Sequence, residues 1–89
     1  MTMAATAYRL VADDDAESFR ILAVDAQGNH ICGAYRSRRL NDWKVYATKL
    51  LIDGTGLTQP HKVHVISRED AVRWLEMLAH YYTRAQAAS

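Results

Sequence analysis

The sequence predicts an α+β domain: four or five antiparallel strands with one long carboxy-terminal helix packed across one face. Three observations predict it. Ser67 to Arg84 carries the three- and four-residue apolar spacing of a helix. Phe19–Asp25 and His30–Arg36 are β-rich runs joined by Ala26-Gln27-Gly28-Asn29, the residues a tight hairpin turn requires. Strand-like runs occupy the chain before the helix, and strands followed by a helix indicate a sheet with the helix on one side.

In the helix, Ser67 stands at the capping position, and Glu69 and Asp70 place negative charge where unpaired N–H groups and the helix dipole favour it. Ala71, Val72, Leu75, Leu78, Ala79 and Tyr82 form the side expected in the core. Glu69, Arg73, Glu76, His80 and Thr83 form the solvent side, with Glu69 and Arg73 spaced for an ion pair. Trp74, Met77 and Tyr81 flank the core stripe and widen the apolar arc, so they either cap the sheet edge or form a homodimer or partner surface.

Tyr8–Ala12 reads as a short first strand, followed by the acidic run Asp13, Asp14, Asp15 and Glu17, which lacks the spacing and glycine of a calcium loop and reads as a solvated turn. The strand Phe19–Asp25 carries apolar residues on both faces, as a central strand does. Gly33 marks a bulge or a close approach. Trp43–Ile52 alternates as a strand with one buried and one wet face, Asp53-Gly54-Thr55-Gly56 breaks it, and His61–Ile66 is the last strand before Ser67.

At 89 residues the chain is one domain, with residues 1–6 and 85–89 expected to be disordered. Its net charge of +1 argues against wholesale attraction to nucleic acid or anionic lipid, although local charge still matters. Cys32 is the one cysteine, so no internal disulfide forms and a cytoplasmic setting is expected. No apolar run approaches a membrane span and the start lacks a secretory leader pattern, so no membrane role is expected.

No nucleophile elbow, phosphate-cradling glycine loop or acid–base pair at a recognisable spacing is present, and the expectation is a non-enzymatic protein with no cofactor. His61 and His64 are three apart, which in a strand sends them to opposite faces, so no metal site is expected. The most suggestive segment is basic: Arg36, Arg38, Arg39, Lys44 and Lys49 are interleaved with Tyr35, Trp43 and Tyr46. Arginine forks suit phosphates and guanine edges, and aromatics stack on bases, yet basic residues also guard exposed sheet edges.

The segment from Gly33 to Tyr82, with GAYRSRRLNDWKVYA, the break at Asp53-Gly54 and EDAVRWLEMLA, resembles the arm-type DNA-binding domain at the amino end of phage and transposon integrases. The positions that match are Trp43 and Val45 in a strand and Ala71, Trp74 and Leu75 in the closing helix. The resemblance implies a three-stranded sheet laid in the DNA major groove, with Arg36, Arg38, Lys44 and Tyr46 facing DNA. The sequence departs from that pattern in its extra amino-terminal strand and its non-basic Asp53–Pro60 loop.

Two functions are therefore expected. The first is a regulatory protein contacting duplex DNA through Arg36, Arg38, Arg39, Lys44, Tyr46 and Lys49. The second is a protein-interaction module, a homodimer or binder of a host protein, that uses Trp74, Met77 and Tyr81 or a sheet edge. The Ala- and Arg-rich composition would suit a phage or actinobacterial accessory protein.

Overall fold

The computed structural model describes residues 8–56 and 63–88. Five strands and two helices follow in the order β1 (Tyr8–Ala12), β2 (Ser18–Asp25), β3 (His30–Ser37), β4 (Trp43–Ala47), α1 (Lys49–Thr55), β5 (Val63–Val65) and α2 (Arg68–Ala88). The strands form one antiparallel sheet in sequence order, and α2 packs across it, which is the expected α+β architecture.

The pleat sorts the sheet into two faces. Ile21 and Ala23 of β2, Cys32 and Ala34 of β3, and Trp43 and Val45 of β4 point towards α2, where Ala71, Leu75, Ala79 and Tyr82 meet them; all are buried. The helix lies close enough for the Cys32 thiol to approach the Leu75 carbonyl at 3.7 Å. Ser67 begins α2 as expected, its hydroxyl accepting from the Asp70 amide at 3.1 Å. Arg73 pairs with Asp70 at 3.3 Å, three residues before it, in place of the expected partner Glu69.

The β2–β3 turn is held by a carboxylate. Asp25 accepts from the amides of Asn29 at 2.8 Å and Gln27 at 3.0 Å, while Gly28 takes the left-handed conformation, φ 85°, that a side chain would resist. Beyond it the ladder slips by one: Val24 faces His30 and Ala23 faces Cys32, so Ile31 is the extra residue of a bulge. The Ile31 carbonyl faces β4, where Thr48, one step past the Cys32–Ala47 rung, donates its amide at 3.1 Å and its hydroxyl at 2.9 Å.

Thr48 explains the main departure from the sequence reading. The strand expected over Trp43–Ile52 stops at Ala47, and Lys49–Thr55 is helix instead. Thr48 caps it, accepting from the Leu51 amide; Gly56 ends it with φ 73°, donating to the Ile52 carbonyl. Leu51 drops into the core, and α1 leans on the carboxy-terminal part of α2, where the Gly54 backbone passes against Tyr82. At the other end α2 runs through Ala88, so the stretch from Ala85 that was expected to be disordered is helical as far as it is described. The expected strand over His61–Ile66 is observed as Val63–Val65; His61 and Lys62 lie outside the described residues, as do the expected disordered residues 1–6 and the His61 half of the histidine pair.

Candidate functional site

The second face of the sheet carries no layer among the described residues: α2 packs on the first face, and α1 packs against α2 and β3. Register places on this open face Arg9 and Val11 from β1, Arg20, Leu22 and Val24 from β2, His30, Gly33 and Tyr35 from β3, Lys44 and Tyr46 from β4, and His64 from β5. Leu22, Tyr35 and Tyr46 are half-buried there, and Val24 is buried.

Gly33 and Tyr46 organise the centre. They face each other across β3 and β4, and the Tyr46 ring lies over the Gly33 backbone: a methyl group on Gly33 would sit 2.6 Å from the ring's Cζ. The glycine thus serves a close approach, one of the two readings the sequence offered, while the bulge is at Ile31. From that seat the Tyr46 hydroxyl lies 3.0 Å from Nε2 of His30, the two rings meeting edge to face at 5.5 Å, and Tyr35 packs beside it at 6.1 Å. Burial raises the Tyr46 phenol above its ordinary range, so it stays a neutral hydroxyl at physiological pH.

The cations nearest this centre, Arg20 and Lys44, come with their own partners, whereas Arg9 at the β1 edge is in no ion pair among the described residues. Arg20 bonds Asp13 at 2.9 Å and lies 3.6 Å from Asp15. Lys44 is 3.8 Å and His64 3.0 Å from the same Asp42 carboxylate. The His64 hydrogen bond foremost, with the Lys44 charge, holds Asp42 below the usual carboxylate range. Asp15 is likewise held low by the amides of Glu17 and Ser18, so both acids are ionised wherever the protein is near neutrality.

The residues expected to contact nucleic acid do not share one surface. Lys44 and Tyr46 are on the open face. Arg36, one step beyond the Tyr35–Lys44 rung, is on the α2 side, its guanidinium 4.7 Å from the Phe19 ring centre and 5.9 Å from that of Trp43, and donating to the Leu40 carbonyl at 2.6 Å. Arg38 stacks on Phe19 at 4.1 Å and donates to the Asp15 carbonyl at 2.9 and 3.1 Å; Arg39 is exposed in the following turn. Lys49 opens α1, bound to Asp53 at 2.8 Å. The single basic surface expected from the sequence is therefore divided, because a strand sends successive residues to opposite faces and Arg36 is out of phase with Lys44 and Tyr46.

Of the helix flank, Trp74 packs against the core, whereas Met77 and Tyr81 are about half exposed. At the amino end of α2 a groove of about 700 Å³ runs between Phe19, Trp43 and Ile66, with Arg36, Arg68 and Asp14 on its walls, a mixture of signs that selects no ligand charge. Among the described residues no three His, Cys, Asp or Glu side chains are grouped to hold a metal ion. Among the described residues no helix is long and apolar enough to cross a membrane. The buried Cys32 thiol is pushed up to about 12 by desolvation.

Comparison with protein-family models, with curated proteins and with solved structures found no match.

Proposed function

We propose that this chain is a non-enzymatic binding protein of the cytoplasm that docks a protein partner on its open sheet face. The observation that carries the reading is the ion pairing of that face. Arg20 is matched by Asp13 and Asp15, and Lys44 by Asp42, which also bonds His64, so the apolar and aromatic centre made by Leu22, Tyr35 and Tyr46 is ringed by charges of both signs. A polyphosphate backbone gains by displacing counterions from free cations. Here it would meet three carboxylates first. A protein surface with an apolar centre and a mixed polar rim suits such a face, since aromatic residues at the middle of an interface supply most of its energy.

A second reading has its own support. Arg36 and Arg38 hydrogen-bond to backbone carbonyls, and neither they nor Arg39 lie within ion-pair distance of a carboxylate among the described residues. The three keep full positive charge at one end of the sheet, where they could contact duplex DNA phosphates in a regulatory role, the role the integrase resemblance implies for Arg36 and Arg38.

The two are separated with two variants, Tyr35→Asp/Lys44→Glu on the open face and Arg38→Glu/Arg39→Glu at its end. A partner captured from extract by the wild-type chain is identified, purified and mixed back. The first reading requires a stable complex, hydrogen-exchange protection centred on β3 and β4, and loss of binding with the open-face variant alone. Protection elsewhere, or salt-sensitive binding to duplex DNA that only the Arg38/Arg39 variant abolishes, overturns it.

A further inference from the structure

We infer that the protein forms a two-fold dimer by pairing β1 with β1 of a second copy, joining two sheets into one. The argument begins with the phase of the β1–β2 hydrogen bonds. The Asp13 amide donates to the carbonyl of Arg20 at 2.9 Å, and these two residues stand directly opposite each other in the register that pairs Ala12 with Ile21. In an antiparallel ladder bonded and non-bonded pairs alternate, so Val11–Leu22 and Arg9–Val24 are bonded pairs as well. Tyr8, Leu10 and Ala12 therefore turn their N–H and C=O groups away from β2. Because β1 is an outer strand, those groups face outwards with no strand beyond them among the described residues.

Such an edge is a template for another strand, and proteins that stay monomeric guard it with lysine, proline or a bulge. β1, with sequence YRLVA, has no lysine, proline or bulge; its one basic residue is Arg9, whose charge an antiparallel second copy answers with Asp13. The other edge, β5, is only three residues long.

A second copy of β1 fits the edge without remainder. Antiparallel pairing about a two-fold axis through Leu10 sets Leu10 opposite its copy and Tyr8 opposite Ala12 of that copy. Every residue with outward polar groups then meets another, whereas a slip of one residue would set outward groups against inward ones. On the α2 side, Leu10 packs on its copy. On the open side, Arg9, exposed and in no ion pair among the described residues, stands diagonal to Asp13 of the second copy. The strand is basic at its start and runs into Asp13, Asp14 and Asp15 at its end, so the antiparallel arrangement is charge-complementary and a parallel one is not. The dimer does not depend on what docks on the open face. Its effect on that face is to set two copies of it side by side in a continuous sheet, which would make any partner binding bivalent.

The test is sedimentation equilibrium of the full chain from about 5 to 200 μM, with amide exchange followed by NMR. The expected result is a concentration-dependent dimer in which the amides of Leu10 and Ala12, fast to exchange at low concentration, become protected, while Arg9 and Val11 are protected throughout. Leu10→Pro removes an outward N–H without touching the bonds to β2, and is expected to leave a folded monomer. Arg9→Glu, at an exposed position, is expected to raise the dimer dissociation constant about tenfold, and raising salt should do the same to the wild type. A monomer at 200 μM overturns the proposal, as does a dimer that persists in folded Leu10→Pro. If Leu10→Pro does not fold, a dimer unweakened by Arg9→Glu, or one with Leu10 and Ala12 unprotected, overturns it equally. None of these outcomes bears on whether the open face binds a partner.

Discussion

The seat of Tyr46 on Gly33 can be tested by placing one methyl group between them. In Gly33→Ala the new carbon would lie 2.6 Å from Cζ and 2.9 Å from Cε1 of the ring, closer than packed carbons approach, so the ring must lift. Lifting it breaks the 3.0 Å contact with His30, which also fixes the ring's orientation beside Tyr35. Overpacking of this kind costs about 1–3 kcal/mol, and the hydrogen bond adds about 1 kcal/mol. Against this, alanine restricts the unfolded chain and returns about 0.4–1 kcal/mol. Gly33 has a backbone conformation any residue can adopt, since among the described residues only Gly28 and Gly56 show positive φ, so no backbone strain enters. The net expectation is a loss of about 1–3 kcal/mol, or roughly 4–15 °C in melting temperature for a domain of this size. The assay is thermal and urea unfolding of a double-mutant cycle with Tyr46→Ala. Once the ring is gone the methyl group has room, and the same Gly33→Ala change should become neutral or slightly stabilising. An equal loss in both backgrounds would refute the close approach, since the cost would then come from somewhere other than the ring.

Leu75, fully buried at the centre of α2, should cost about 2–5 kcal/mol on truncation to alanine, with Leu75→Met well below that, as measured by urea denaturation. Asp25 gives a pH dependence. Burial alone would raise its carboxyl, but hydrogen bonds from Asn29, Gln27 and Gly28 outweigh it and hold the group below its ordinary value. A depressed folded pKa contributes stability above the unfolded value near about 4 and loses it as pH falls through the folded one. The stability gap between wild type and Asp25→Asn should therefore be full at pH 7 and close below about pH 4; a gap constant from pH 7 to pH 2 would contradict the turn geometry. The Cys32 thiol, pushed up to about 12, should react with a disulfide reagent at pH 8 at least about 100-fold more slowly in the native protein than in denaturant.

What was legible in the sequence, and what was not, follows the reach of each interaction. The helix over Arg68–Arg84 and the β2–β3 hairpin could be read because their causes are local: Ser67 caps three residues ahead, and Gly28 supplies the positive φ of its own turn. Helix α1 could not. KLLI after an alternating run fits strand or helix, and its cap is held in place because Thr48 is anchored to the Ile31 carbonyl across the sheet, seventeen residues earlier. The bulge at Ile31 leaves no local signature.

The same limit divided the basic segment. Arg36 and Lys44 lie near one another in sequence, and composition counts them together, but the register that puts Tyr35 opposite Lys44 sends Arg36 to Trp43 on the other side of the sheet. That register is set across the Arg38–Asp42 connection, whose length fixes the phase and whose residue types do not. The pairing of Arg20 with Asp13 and Asp15 was nearer to hand: once the acidic run is read as the turn between two antiparallel strands, its first member must face a residue early in the second strand, and Arg20 is there. Read that way, the acidic run is more than a solvated turn. It neutralises the one guanidinium on the central part of the open face, and it is the acidic end that an antiparallel second copy of β1 would bring to Arg9. Removing Asp13 and Asp15 together would accordingly do two separable things: free Arg20 to attract phosphate, and weaken the edge-to-edge dimer. A double Asp13→Asn/Asp15→Asn chain that gained DNA affinity while losing self-association would tie both properties to the same few residues.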